Sequence, residues 1–441
     1  MENQDNKTTK VNILRLVKRV FIVLFILTAL TAGGVIYLHY MTVPVSQELE
    51  AVTFSKVMKM GTASPVYIDT SREVTLTAVG DVMVHRAQML RAYDSETDTF
   101  DFDKAFAYMG DTLSAADYTI GNLETTIAGR NNGVNPVFHG YSDYPQFNSP
   151  ESLVDALKNS GVDFLGTANN HSIDSKAKGI VATLDYLDKM GIPHTGTARS
   201  EEEQEKLCIV EINEIKFGIC AFTYATNGLP IPSDQPYLVN TLNEYKEDKM
   251  EAMCQQVRDL RKAGADFVLV LAHWGVEYKT VPSSYQEKLA DRLFNAGADV
   301  IFGSHPHVVQ PMEIRRLANA DGSTRIGVCI YSLGNFISSQ TNKAGPDKDL
   351  GLMMNVSFYK NKDEKKLQSV AVTPTCVYWS DDTIGVVPVE YALENEDKYP
   401  LINEQGWNRI RYAHDRIISV VTNRYGLDYE LKDKWYEIKI P

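Results

Sequence analysis

Seven side chains able to bind a divalent cation follow five short apolar runs, usually beside a glycine. Thr75 to Val79 leads into Gly80-Asp81, and Tyr118 to Ile120 leads into Gly121-Asn122-Leu123-Glu124. Phe164-Leu165 leads into Gly166-Thr167-Ala168-Asn169-Asn170-His171. Val268 to Leu271 leads into Ala272-His273-Trp274-Gly275, and Val300 to Phe302 into Gly303-Ser304-His305-Pro306-His307. In open α/β sheets, ligands bind outside the carboxyl ends of the strands. If the five runs are neighbouring strands, Asp81, Glu124, Asn170, His171, His273, His305 and His307 converge there. Carboxylates, an amide oxygen and neutral imidazoles suit one or two hard or borderline divalent metal ions such as Mn, Fe, Zn or Mg. A carboxylate set between two such ions can bridge them, and the glycines let backbone approach closely.

A single histidine at a strand end is more often structural than ligating, so the conjunction of five ends carries the inference. His305 and His307 are two apart, and alternate residues of extended chain point the same way. His85 lies close enough to Asp81 in sequence to reach the same site. His39, His139, His194 and His414 have no such context and read as structural.

The elements that must hold these residues are legible nearby. Ser149 is placed to cap a helix with Pro150 at its first position, ending near Gly161. Residues 177–190, 248–263 and 285–296 are helical and stop at Gly191, Gly264 and Gly297. Apolar runs follow three of these glycine stops, which is the helix-to-buried-strand alternation of an α/β fold. Residues 404–424 also read as helical. Tyr425 to Ile440 is rich in Tyr, Trp and Lys, and its aromatics fit a core better than a sugar platform.

The chain has 441 residues, 44% of them hydrophobic, and a net charge of −13. That length is ample for a large core, and the acidity excludes nucleic acid as a partner. It also argues against the main domain lying flat on an anionic bilayer. Five cysteines, none in a C-x-x-C pair, rule against a thiolate zinc site and read as buried small hydrophobes.

Val20 to Leu38 is an uncharged, mostly apolar run of 19 residues. As a helix it is roughly 28 Å long, close to the hydrocarbon thickness of a bilayer. Residues 1–19 before it carry five Lys or Arg against two acids, and no Lys or Arg follows until Lys56. The positive-inside rule therefore puts residues 1–19 in the cytoplasm, residues 20–38 across the cell membrane in a single pass, and the main domain outside. The competing reading is a cleaved signal peptide, which Ala32, Gly33 and Gly34 leave open although the run exceeds an ordinary signal core. Residues 39–72 read as a linker, 73–380 as the main domain and 381–441 as a C-terminal extension packed on the domain or a partner.

Several segments resemble the CapA family of poly-γ-glutamate capsule biosynthesis proteins. They are A-V-G-D-V-M (78–83), G-N-L-E-T (121–125), F-N-S-P (147–150), A-N-N-H-S-I-D (168–174), A-H-W-G-V-E-Y (272–278), G-S-H-P-H-V-V-Q (303–310) and Y-S-L-G-N-F (331–336). That family is similar in turn to the calcineurin-like metallophosphoesterases. The resemblance implies a four-layer αββα sandwich preceded by one N-terminal transmembrane helix. It implies metal ligation by Asp81, Glu124, Asn170, His273, His305 and His307, with Glu124 in the place of the bridging carboxylate. In a hydrolase of this kind His171 would act as general acid or electrostatic stabiliser, and Asp174 would orient it. Two departures stand out: Met83 occupies the position of the first motif's histidine, and Glu124 replaces an aspartate.

Three functions follow from the resemblance. The first is a component of capsule assembly or export that handles poly-γ-glutamate or another anionic envelope polymer beside other membrane proteins of capsule synthesis. The second is a metallohydrolase cleaving a phosphoester or a polymer amide. The third is an inactive scaffold, for which Met83 argues.

Overall fold

The structure, a computed structural model, describes residues 71–242, 247–319, 321–340 and 347–441. The expected membrane run at 20–38 and most of the expected linker lie outside them. No helix among the described residues is long and apolar enough to cross a membrane.

The fold is mixed α/β. Its strands are, in chain order, β1 (Arg72–Val82), the small hairpin β2 (Tyr93–Asp94) and β3 (Thr99–Phe100), β4 (Tyr118–Leu123), β5 (Phe164–Gly166), β6 (His194–Thr195), β7 (Cys208–Ile212), β8 (Ile215–Thr223) and β9 (Phe267–His273). There follow β10 (Val300–Ser304), β11 (Met312–Ala318), β12 (Thr324–Ile330), β13 (Asn335–Ile337), β14 (Leu350–Lys360), β15 (Lys365–Trp379), β16 (Ile384–Pro388), β17 (Tyr429–Lys432) and β18 (Trp435–Ile438). A ten-stranded sheet runs β17-β18-β15-β14-β1-β4-β5-β6, with β13 beside β1 and β16 beside β15. A six-stranded sheet runs β11-β12-β10-β9-β8-β7. The five expected strand ends are thus split, three in the larger sheet and two in the smaller. Within each group the strands are parallel neighbours, so the carboxyl ends of each group lie side by side.

Side-chain alternation joins the sheets. On β9, Phe267 and Leu269 face a core shared with Val74, Leu76 and Ala78 of β1. The intervening Val268 and Val270 face a second core with Val257 and Leu260 of helix Glu247–Lys262 and Leu289 and Leu293 of helix Ser284–Ala296. On the larger sheet, Val79 and Val82 of β1 pack with Leu153 and Leu157 of helix Ser152–Asn159 and Ile180 and Leu184 of helix Lys176–Met190. Strands covered on both faces are apolar at nearly every position, hence the continuous runs in the sequence. Each fully buried Leu or Val contributes about 1.5–3 kcal/mol.

Two local expectations change. Ser149 does not cap the helix, which starts at Ser152 with Glu151 at its cap; the Ser149 hydroxyl instead pairs with Thr125 Oγ1 at 2.8 Å. The expected boundary at 380 falls between β15 and β16, which are neighbours in one sheet. The segment that follows packs on the domain: helix Glu404–Thr422 places Ile410, Ala413 and Ile417 in the shared core, alongside Tyr436 and Ile438 of β18.

All five cysteines are free and four are buried, as small hydrophobes would be.

Candidate metal centre

Gly80 lets the carboxyl end of β1 approach its neighbours. A Cβ there would lie 1.9 Å from the Gly334 carbonyl oxygen, and the next residue, Asp81, donates its N–H to that same oxygen at 3.0 Å. Gly303 plays the same part on β10, where an added Cβ would lie 2.1 Å from Tyr331 O. Two backbone contacts closer than any side chain permits therefore set Asp81 and the Ser304–His307 turn against each other. The His305 N–H reaches Asp81 Oδ2 at 3.2 Å across 224 residues of chain.

His305 and His307 do not alternate along extended backbone as their spacing suggested. Both are left-handed, with φ of 96° and 58°, and their rings lie 6.0 Å apart. Such conformations cost a non-glycine residue about 1–3 kcal/mol and cluster where function demands them.

The structure brings the eight expected site residues, Asp81, Glu124, Asn170, His171, Asp174, His273, His305 and His307, into one buried group. Asp81 Oδ2 lies 3.2 Å from His307 Nδ1. Glu124 Oε1 lies 3.4 Å from His273 Nε2 and 3.7 Å from His307 Nε2. Asn170 Oδ1 lies 2.7 Å from His273 Nε2. Glu124, His273 and His305 form one group able to hold a metal ion, and Asp81, Glu124 and His307 form another. Beside them, His171 Nδ1 meets Asp174 Oδ2 at 2.6 Å. The Phe147 N–H donates to that same oxygen at 2.6 Å.

Charge is arranged unevenly. Burial, reinforced by the neighbouring Asp81 carboxylate, pushes the Glu124 carboxyl well above its usual range. Burial also works against the Asp81 carboxylate, but the hydrogen bonds it receives from His307 and from the Asn122 amide hold Asp81 below its usual value. Burial pushes His273 down to about 3 and His305 well below the ordinary imidazole range. These rings are therefore neutral near pH 7, the form that ligates metal.

Neither oxygen of the Glu124 carboxylate receives a hydrogen bond, and His305 Nδ1 is likewise buried without a partner. A buried carboxylate without compensation costs several kcal/mol, and a cation would remove that cost. Two donors bound to one ion at about 2.1 Å sit roughly 3.4 Å apart, close to the separations found here. The residues present fit a divalent cation.

Other residues with a part in the site lay inside the sequence motifs but had been given no role. Asn122 Nδ2 donates to Asp81 Oδ1 at 2.7 Å and lies 3.3 Å from His273 Nδ1. Asn335 Oδ1 lies 3.0 Å from His307 Nδ1, and Ser304 Oγ lies 2.8 Å from His273 Nδ1. Asn227, which lies outside every motif, bridges Asn170 at 3.0 Å and His171 Nε2 at 3.4 Å. His85 reaches the wall of the site: its ring meets Phe147 edge-on at 5.0 Å, and Phe147 meets His171 edge-on at 4.7 Å. His139, His194 and His414 stand against Asp98, Asp188 and Glu390 elsewhere.

Two sheets whose strand ends meet in a buried His/Asp/Glu/Asn cluster define a protein of the metallophosphoesterase-like class. The family model for bacterial capsule synthesis protein PGA_cap matches residues 75–340, and the chain belongs to that family. It is 28% identical over 293 residues to the capsule biosynthesis protein CapA of Bacillus anthracis, covering 64% of each chain. It is also 28% identical to the PGA biosynthesis protein CapA of Bacillus subtilis, covering 64% of this chain and 68% of that one. A probable polyglutamine synthesis accessory protein of Mycobacterium tuberculosis is 25% identical, over 46% of this chain and 53% of its own. The similarity thus spans just under two thirds of the Bacillus anthracis relative's length.

Proposed function

We propose that the protein serves the synthesis or export of an anionic envelope polymer of the poly-γ-glutamate kind, through a metal centre at the mouth of a metallophosphoesterase-like αββα domain. In this reading residues 20–38 anchor the chain in the cell membrane and the domain stands outside, near other membrane proteins of capsule synthesis. The relatives named for capsule, PGA and polyglutamine synthesis support the biological setting. The observation that carries the chemistry is Glu124, whose two buried oxygens lack hydrogen bonds amid His273, His305 and His307.

Asp81, Glu124 and His307 would hold a cation on one side, and Glu124, Asn170, His273 and His305 on the other. A divalent cation supplies Lewis acidity toward a phosphoryl or carbonyl oxygen and makes a water more acidic. It would also give an acidic protein the positive charge needed to face a polyanion. Lys348 adds to that charge: its ammonium lies 4.8 Å from the centre of the Tyr278 ring, which itself lies 6.1 Å from His307.

The test is genetic. A strain lacking the gene should lose envelope polymer, the wild-type gene should restore it, and a Glu124→Ala gene should not. Unchanged polymer content in the deletion strain would remove this reading.

A second reading, hydrolysis of a phosphoester or a polymer amide, is favoured by the His171–Asp174 pair. Asp174 accepts from His171 Nδ1–H, a tautomer assigned from the hydrogen-bond network, which leaves Nε2 facing Asn227. Protonated at Nε2, His171 would deliver that proton to a leaving oxygen or nitrogen, while Asn227 and Asn170 orient the reacting group. Turnover of a model phosphodiester with Mn²⁺ tests this. No turnover in wild type would sink it, and equal rates in wild type and His305→Ala would sink the assignment of His305.

A further inference from the structure

Position 83, where the resemblance expects a histidine ligand, carries Met83. A thioether is a soft donor, poorly matched to the hard and borderline ions that carboxylates and imidazoles select. The half of the centre built from Asp81, Glu124 and His307 is therefore one ligand short. A third group of donors lies at the same place: Glu277, His305 and His307 have ligand atoms all within 4.8 Å of one another.

Glu277 arrives there through the backbone. Trp274 N–H donates to Ser304 O at 3.1 Å, and Tyr278 N–H donates to Pro306 O at 2.8 Å. These bonds bracket Glu277 and lay its segment along the His305–His307 turn. Gly275 and Tyr278, with φ of 91° and 64°, bend the chain toward that turn. Glycine suits position 275, because its φ lies in the left-handed region that other residues adopt only with strain. Unlike the buried histidines, Glu277 is exposed, so it stands on the solvent side of the position. The orphaned His305 Nδ1 and the orphaned Glu124 carboxylate point independently to a missing cation.

We propose that Glu277 replaces the ligand lost at position 83. Glu277 and His305 meet His307, which also belongs to the Asp81–Glu124 group, so Glu277 completes the outer cation position through His307, with Glu124 standing between the two halves of the centre. The inference rests on the metal-site reading above and goes beyond it in ligand identity.

The test loads the purified full-length chain, stripped with chelator, with Mn²⁺. Bound metal is counted by elemental analysis after desalting, and electron paramagnetic resonance distinguishes a coupled pair from an isolated ion. Wild type should hold two ions per chain with a coupled signal. Glu277→Gln should hold one with an isolated signal, at an unchanged melting temperature of the metal-free protein. Glu277→Asp, which keeps the charge, should regain the second ion with affinity weakened about tenfold or more. Two ions in Glu277→Gln, or one in wild type, would overturn the proposal while leaving the metal reading intact. No ion in wild type would overturn both.

Discussion

Asp174 Oδ2 accepts two hydrogen bonds of 2.6 Å, one from His171 Nδ1 and one from the Phe147 backbone. The backbone bond fixes the carboxylate, and the carboxylate fixes the ring. If His171 donates a proton in turnover, His171→Ala should lower kcat about a hundred- to ten-thousand-fold while metal content stays constant. Asp174→Asn should lower kcat less and alter its pH profile, because the ring loses its orienting partner. Steady-state kinetics beside metal analysis checks both; parallel loss of metal would mean that the pair is structural.

Glu124 makes the metal-free protein sensitive to alkali. Its folded-state pKa lies well above the ordinary 4.5. Between those two values the unfolded chain has released its proton and the folded chain has not, so raising pH favours unfolding. Over that window metal-free wild type should lose up to about 1.4 kcal/mol per pH unit relative to Glu124→Gln. Adding Mn²⁺ should reverse the order, since a ligand that binds only the folded state stabilises it. Paired thermal melts near pH 5 and near pH 8, with and without metal, would show it.

Lys348 is buried at the rim, and its carbonyl accepts from Asn335 Nδ2 at 2.8 Å. Lys348→Met should raise KM for an anionic substrate about tenfold, with kcat little changed and the salt dependence of KM reduced. A neutral substrate of the same shape should be unaffected.

Gly80→Ala forces a Cβ against a main-chain oxygen that no rotamer change can move. A loss of about 3 kcal/mol in denaturant unfolding is expected, together with weaker metal binding, because Asp81 is displaced with it.

Much of this is legible in the sequence. Each of the five apolar runs is a strand, and the helices ending at Gly191 and Gly297 stop at left-handed caps on those glycines. What the runs did not reveal is that they divide between two sheets. A strand buried on both faces is apolar throughout, and such a run carries no mark of its partner. Asn122, Asn335 and Glu277 were visible inside the motifs, yet their parts depend on where the chain turns after a strand. That turn is set by close backbone approach at Gly80 and Gly303 and by the left-handed backbone of Gly275, which spacing alone does not convey. His305 and His307 show the limit in another way: they meet in the site, but through left-handed backbone and not through alternation.

The donors come from both sheets. Asp81, Glu124 and Asn170 follow strands of the larger, and His273, His305 and His307 follow strands of the smaller. Cations shared among them would be removable rivets between the two sheets, closing a loop of more than two hundred residues in a chain whose five cysteines form no disulfide. The supply of metal would then govern how long the fold survives as well as what it can bind.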